Sequence, residues 1–279
     1  MKSFIIGWMI ALTAVVLTAE KSEAAPARVK GSGNYVDKEV TVAPFDEIKA
    51  SRGIRVIVVE GEQGKVQIKA DDNIIEWVTV KVDDQTLQLG IDSEIRTLSN
   101  VCVEITVPSH GRLEELRASS AATIDCRVPL KNDDVELSAS SAGKINASLT
   151  ASSCEIDCSS AGKVTAEVKC KECEIEASSS GKVEATLAVQ VCDVDGSSAA
   201  NFDLQGAAIY CEVDLSSAAD LEASKLAVQE YDIECSSGAD ADILCLETLK
   251  AQASSGGAIR YSGSCKNITR KTSSGGSIR

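Results

Sequence analysis

The chain has 279 residues, 44% of them hydrophobic and 25% charged, which excludes wholesale disorder and leaves room for one large or two medium domains. A formal net charge of -14 removes the basic stripe on which nucleic-acid binding depends, so no nucleic-acid partner is expected. Aromatic residues make up only 3%, so Val, Ile, Leu, Ala and Cys must fill the core, a composition suited to layered, repetitive packing.

The first predicted element is an export signal over residues 1–24. Met1 and Lys2 give a basic start, and Phe4 to Ala19 ("FIIGWMIALTAVVLTA") is apolar but shorter than the ~20 residues of a membrane span. Ser22 and Ala24 then occupy the small-residue positions of a cleavage site. An uncleaved anchor is the alternative. No cysteine follows the apolar run, so a lipid anchor at the cut is not expected. No later segment has the length and hydropathy of a spanning helix. The mature chain is expected to be exported without a transmembrane segment, in the periplasm, on the outer-membrane surface or outside the cell.

Residues 25–115 alternate as strands do: "EVTVA" from Glu39, "IRVIVVEG" from Ile54, "KVQIKA" from Lys65, "WVTVKV" from Trp77, "TLQLGI" from Thr86 and "VCVEITVP" from Val101. Polar turns such as "EGEQG" and "VDDQ" separate them. This reads as an antiparallel β region that caps or feeds a solenoid on its C-terminal side, because the open end of a repeat array offers an unpaired edge.

From residue 116 to 279 one motif recurs nine times, as in "ASSAGKI" (Ala139), "CSSAGKV" (Cys158), "ASSSGKV" (Ala177) and "TSSGGSI" (Thr272). Its first serines stand at 119, 140, 159, 178, 197, 216, 236, 254 and 273, a period of about nineteen. Within a unit the period is two: Cys173, Ile175 and Ala177 point one way, Glu174 and Glu176 the other. No unit has room for a helix, and ~19 residues is too short for a propeller blade. The fold class is therefore all-β, a parallel β-helix whose coils stack at ~4.8 Å. A right-handed wind is expected as the commoner form.

Stacking turns the period into columns. Cys154, Cys173, Cys192 and Cys211 form one inward column, and Leu137, Ile156, Ile175, Val194, Val213 and Ile233 the next. Neighbouring ladder cysteines would have parallel Cβ vectors, with Cβ atoms farther apart than the ~3.8 Å a disulfide prefers. Free buried thiols are the expectation, with disulfides between adjacent coils as the alternative.

The N-terminal segments "GSGNYVDKEVTVAPFDEIKASRGIRVIVVEG" and "VQIKADDNIIEWVTVKVDDQTLQLGI" resemble the auto-transporter adhesin head GIN domain family. The matching features are Gly31, Gly33, "FDEI" at Phe45 to Ile48, "DDNIIEWV" at Asp71 to Val78, and the serine- and glycine-rich coils C-terminal to them. The closing "SSGGAIRYSGSCKNITRKTSSGGSIR" is similar to that family's last coils. The resemblance implies a bacterial cell-envelope protein with a β-helical fold, and little about chemistry. No membrane-barrel pattern accompanies it.

Chemistry is carried, if anywhere, by the outward columns. Glu155, Glu174, Asp193, Glu212 and Asp232 form one acidic ladder, and Asp157, Glu176, Asp195, Asp214 and Glu234 a second beside it. Like charges at this spacing repel, so raised carboxylate pKa values, counter-ions or calcium must offset them. The first four residues of each ladder, eight in all, are the calcium candidates, set against a plainly solvated acidic face. The glycine- and aspartate-rich calcium nonapeptide is absent, and no other cofactor is expected. Lys144, Lys163 and Lys182 form a short basic ladder at the corner, placed to neutralise part of this charge.

No catalytic residue is assigned. A Ser-Lys pair in "SSSGK" recurs across coils, which a single active site has no reason to do. Cys170 and Cys173 ("CKEC") lack the second pair zinc needs and the βαβ setting of a redox motif. His110, the only histidine, has no partner for a triad. The leading expectation is a non-enzymatic adhesin-type module binding a host or cell-surface glycan or protein. A ligand-free structural or assembly protein of the envelope and a polysaccharide lyase or hydrolase are the alternatives.

Overall fold

The computed structural model describes residues 28–279; the export signal expected over residues 1–24 lies outside the described residues. Each coil contributes two short strands joined by the serine corner. On one face Glu172–Ala177 pairs in parallel and in register with Ser153–Cys158 before it and Val191–Gly196 after it. On the other, Lys182–Ala188 pairs in parallel with Lys163–Lys169 and with Asn201–Leu215. The pairing continues to Asn267–Thr272 and Ser277–Ile278. From Asn201 the strands lengthen and run unbroken through the second bend, with the register slipping at Asp203/Gln205 and Ala223/Ala227. Those slips absorb the departures from a strict period.

The two-residue alternation places every second side chain between the faces. Ile156, Ile175, Val194 and Ile233 are completely buried, each worth about 1.5–3 kcal/mol of transfer free energy. Glu174 and Glu176 on the same strand stay exposed.

The corner is a tight turn with two successive residues in the left-handed region, Ser179 at φ 51° and Ser180 at φ 62°. Positive φ at both central residues is the type I′ arrangement, closed here by Gly181 N–H donating to the Ser178 carbonyl at 2.9 Å. Each corner also binds its neighbours: Ser178 N–H donates to the Cys158 carbonyl at 2.9 Å, and Ser180 N–H to the Ser198 carbonyl at 3.0 Å. Gly181 packs against the preceding coil, where an added Cβ would lie 2.2 Å from the Cys158 carbonyl oxygen. A side chain at Gly181 would have to enter this stack.

The N-terminal region departs from the expectation of a purely antiparallel cap. Glu47–Ala50 lies parallel to both Glu115–Ala118 and Thr86–Ile91. Arg55–Glu60 lies parallel to both Thr123–Cys126 and Val103–Ser109. The solenoid therefore begins well before residue 116, and the chain visits its first coils out of spatial order. The stretch 47–60 sits between 86–109 on one side and 115–126 on the other. Its corner repeats the later geometry, with Arg52 and Gly53 at positive φ and Ser119 N–H donating to the Ala50 carbonyl at 2.9 Å. Antiparallel pairing is real but local. Tyr35–Thr41 runs against Lys65–Asp71, which runs against Val103–Ser109, and Val78–Asp83 against Thr86–Ile91 across the Asp84-Gln85 turn.

Asp71 fastens this end. It is 1% exposed, and its two carboxylate oxygens accept from Gly33 N–H and Cys102 N–H, each at 2.8 Å. Gly31 lies against it, where a Cβ would come within 2.7 Å of Asp71 Oδ2 and 2.3 Å of the Asn100 carbonyl oxygen.

Candidate functional site

The strands ending at the serine corners present two parallel rows of carboxylates. Strand register places Glu155, Glu174, Asp193 and Glu212 directly over one another, and does the same for Asp157, Glu176, Asp195 and Asp214. All eight residues therefore lie on one face, as the period requires. The first row also extends further than the repeat suggested, through Glu136 and Glu115 to Glu47. A nineteen-residue step back from Glu155 does reach Glu136. Glu47 was hidden because its coil is out of sequence order.

Burial and mutual repulsion act together on these groups. Partial burial, then the facing Asp157, pushes the Glu176 carboxyl up from its ordinary value. Burial followed by Asp195 does the same to Asp193, and burial followed by Glu234 to Asp214. Glu136 is also raised, by burial and then by Glu115. Repulsion is thus partly relieved by easier protonation.

Cations close the first row at its ends. Arg117 Nη2 lies 2.8 Å from Glu136 Oε1, and its Nε donates to Glu115. Lys49 Nζ lies 3.1 Å from Glu47 and 3.2 Å from Glu115. At the far end Lys250 Nζ lies 3.3 Å from Asp232 Oδ2. Lys163 and Lys182, expected to offset this face, instead both reach Glu184 Oε1 at 2.8 Å on the opposite strand set. They follow the corner in sequence, so the turn carries them off the carboxylate face.

Between the second row and the corners runs an open groove lined by carboxylates and serines, among them Asp157, Ser159, Glu176, Ser178, Asp195 and Ser197. The carboxylates stand in straight lines and do not converge. Among the described residues, no group of three or more His, Cys, Asp or Glu is placed to hold a metal ion. Two of the four aromatics beyond residue 118, Phe202 and Tyr231, are buried at 2% and 1% exposure, leaving Tyr210 and Tyr261 partly exposed.

The cysteine column forms as expected: Cys154, Cys173, Cys192 and Cys211 are register partners, buried and free. Burial raises the Cys126 thiol to about 11 and the Cys235 thiol to about 12, which keeps them neutral and unreactive. Outside that column, Cys245 and Cys265 are joined in a disulfide between successive coils, with Cα atoms 5.7 Å apart. His110 pairs through Nδ1 with Glu60 Oε1 at 3.0 Å on the exposed surface.

Comparison with known proteins agrees with this architecture. The family model described as "Putative auto-transporter adhesin, head GIN domain" matches residues 44–186 and again 164–265, the overlap reflecting the internal repeat. A "putative adhesin" from Parabacteroides merdae has a similar crystal structure, with TM-score 0.65 and 21% identity over 91% of this chain and 98% of its own. A second "putative adhesin", from Parabacteroides distasonis, gives 0.57 and 21% over 90% and 98%. A "putative lipid binding protein" from the same species gives 0.59 and 15% over 90% and 98%. At these identities the likeness concerns the fold. No curated protein matches the chain. With most of its length covered by the family model, the chain belongs to the auto-transporter adhesin head GIN domain family.

Proposed function

We propose that this is an exported, non-enzymatic binding module of the bacterial cell envelope, engaging a glycan or protein of a host or cell surface through its carboxylate face. The observation that carries this reading is the face itself. It is extended, and built from repeated carboxylates and serines in register along an open groove. Such a surface offers many equivalent acceptors to hydroxyl, amine or guanidinium donors, so weak contacts sum along its length. Family membership and the adhesin-like fold support it.

The alternative of polysaccharide cleavage is disfavoured by the same geometry. Only four residues separate Ala177 from Lys182 at the corner, and two separate Lys169 from Glu172 at the second bend. Connections this short leave no loop to build a cleft around a scissile bond. The test is direct. Purified protein is applied to a glycan array and to basic proteins, and protease accessibility is measured on intact cells. Saturable binding that Glu174→Gln/Glu176→Gln weakens, together with surface exposure, is expected. Confinement to the periplasm with no binding would favour a structural role, and release of oligosaccharide from polymer would favour an enzyme.

A further inference from the structure

We propose that Cys170 and Cys173 form a thiol–disulfide exchange site, closing to an intramolecular disulfide on reaction with a small disulfide such as oxidised glutathione. The cysteine column itself is poorly suited to this, because register partners project in parallel. Cys170 is not a register partner of Cys173. It lies at the second bend, between the end of Lys163–Lys169 and the start of Glu172–Ala177, and the chain reverses there. Its thiol curls back over the bend to donate at 3.0 Å to the carbonyl of Glu172, the residue that precedes Cys173.

The bend is fixed from both sides. Lys171 N–H donates to the Ser152 carbonyl of the preceding coil at 3.0 Å, and the Lys171 carbonyl accepts from Gln190 and Val191 of the next at 3.0 and 2.9 Å. The one residue between Cys170 and Glu172 is thus held by backbone hydrogen bonds to both neighbouring coils. Cys170 is the more exposed, at 8% against 3% for Cys173, and is flanked by Lys169 and Lys171. Its thiol is held below its ordinary value by the Cys173 hydrogen bond, whereas hydrogen bonding with Cys154 and Cys170 pushes Cys173 up. Cys170 is accordingly the attacking thiolate and Cys173 the resolving thiol.

The chemistry balances as two exchanges. The Cys170 thiolate attacks one sulfur of the small disulfide, forming a mixed disulfide and expelling one glutathione thiolate, which takes up a proton. Cys173 then gives up its proton and attacks the Cys170 sulfur, expelling the second glutathione. Two electrons pass from the protein dithiol to the small disulfide, leaving one protein disulfide and two glutathione thiols.

The sequence supplies its own readout, since Lys171 lies between the two cysteines. The full folded protein is incubated with oxidised glutathione, alkylated in denaturant and digested with trypsin without reductant. The expected product is the dipeptide Cys170-Lys171 linked by disulfide to the peptide Glu172 to Lys182. Cys170→Ser should reduce this product to background, Cys173→Ser should trap glutathione on Cys170, and Cys102→Ser should leave the yield unchanged. Mapping in the wild-type protein decides the matter even where a variant fails to fold. Recovery of both cysteines alkylated would overturn the proposal, as would a link from Cys173 to Cys154 or Cys192, or a stable glutathione adduct on Cys170 in the wild-type protein.

Discussion

Replacing Glu176 by Gln should stabilise the fold. Its register neighbours in the second row are Asp157 and Asp195. Unit charges ~5 Å apart in water repel by roughly 0.8 kcal/mol, so the two neighbours together cost roughly 1.7 kcal/mol. A screening length of ~8 Å at physiological ionic strength about halves this, leaving a gain of about 0.9 kcal/mol. For a protein of this size that corresponds to a rise of about 2–4 °C in melting temperature. The pH dependence has a definite sign. A carboxyl raised in the fold, as in Glu176, Asp193 and Asp214, binds its proton more readily folded than unfolded. Stability is gained as pH falls through the folded pKa and lost as it rises. Glu184, held down by Lys163 and then Lys182, acts oppositely: its contribution is present above the unfolded pKa and lost as pH falls through the folded one. Melting curves should therefore shift upward on mild acidification from neutral pH and downward in stronger acid. Glu176→Gln should flatten the first limb. A destabilised variant, or a gain that persists undiminished in molar salt, would refute the electrostatic account.

Other consequences are equally direct. Asp71→Ala strands two backbone N–H groups and should cost about 2–4 kcal/mol. Hydrogen exchange should show that loss at the N-terminal end while the central coils stay protected, because solenoid stability is local. Gly206→Ala places a Cβ 2.1 Å from the Leu187 carbonyl oxygen at φ 112°, and should lower stability by about 1–3 kcal/mol or more in urea denaturation. Ile175→Ala, emptying a completely buried column position, should cost about 2–5 kcal/mol in the same assay. Because the carboxylate rows are linear, millimolar calcium should raise the melting temperature no more than magnesium at equal ionic strength. A calcium-specific rise would assign the rows a metal-binding role.

The nineteen-residue period was enough to read the central coils, because a parallel stack converts sequence spacing into spatial register with little else to decide. Ile156, Ile175 and Val194 are interior, and Glu155, Glu174 and Asp193 share one row, on that arithmetic alone. The serine motif likewise marks each corner, and every such corner carries two successive residues in the left-handed region. "ASRGI" at Ala50 carries the same signature, but its distance from the next corner does not fit the period, so its coil escaped notice. Spacing also left open where the chain runs backwards. Thr86–Ile91 and Val103–Ser109 stack outside a coil that precedes them in sequence, a choice made by long-range pairing. The fate of the charged groups was likewise decided in three dimensions. Lys163 and Lys182 follow the serines so closely that they read as counter-ions of the carboxylate rows, yet the turn sends them to Glu184. Cys170 and Cys173 read as an incidental spacing, whereas the second bend turns the Cys170 thiol onto the Glu172 carbonyl beside Cys173. Periodicity fixes which residues share a column; only the turns between columns determine which columns meet.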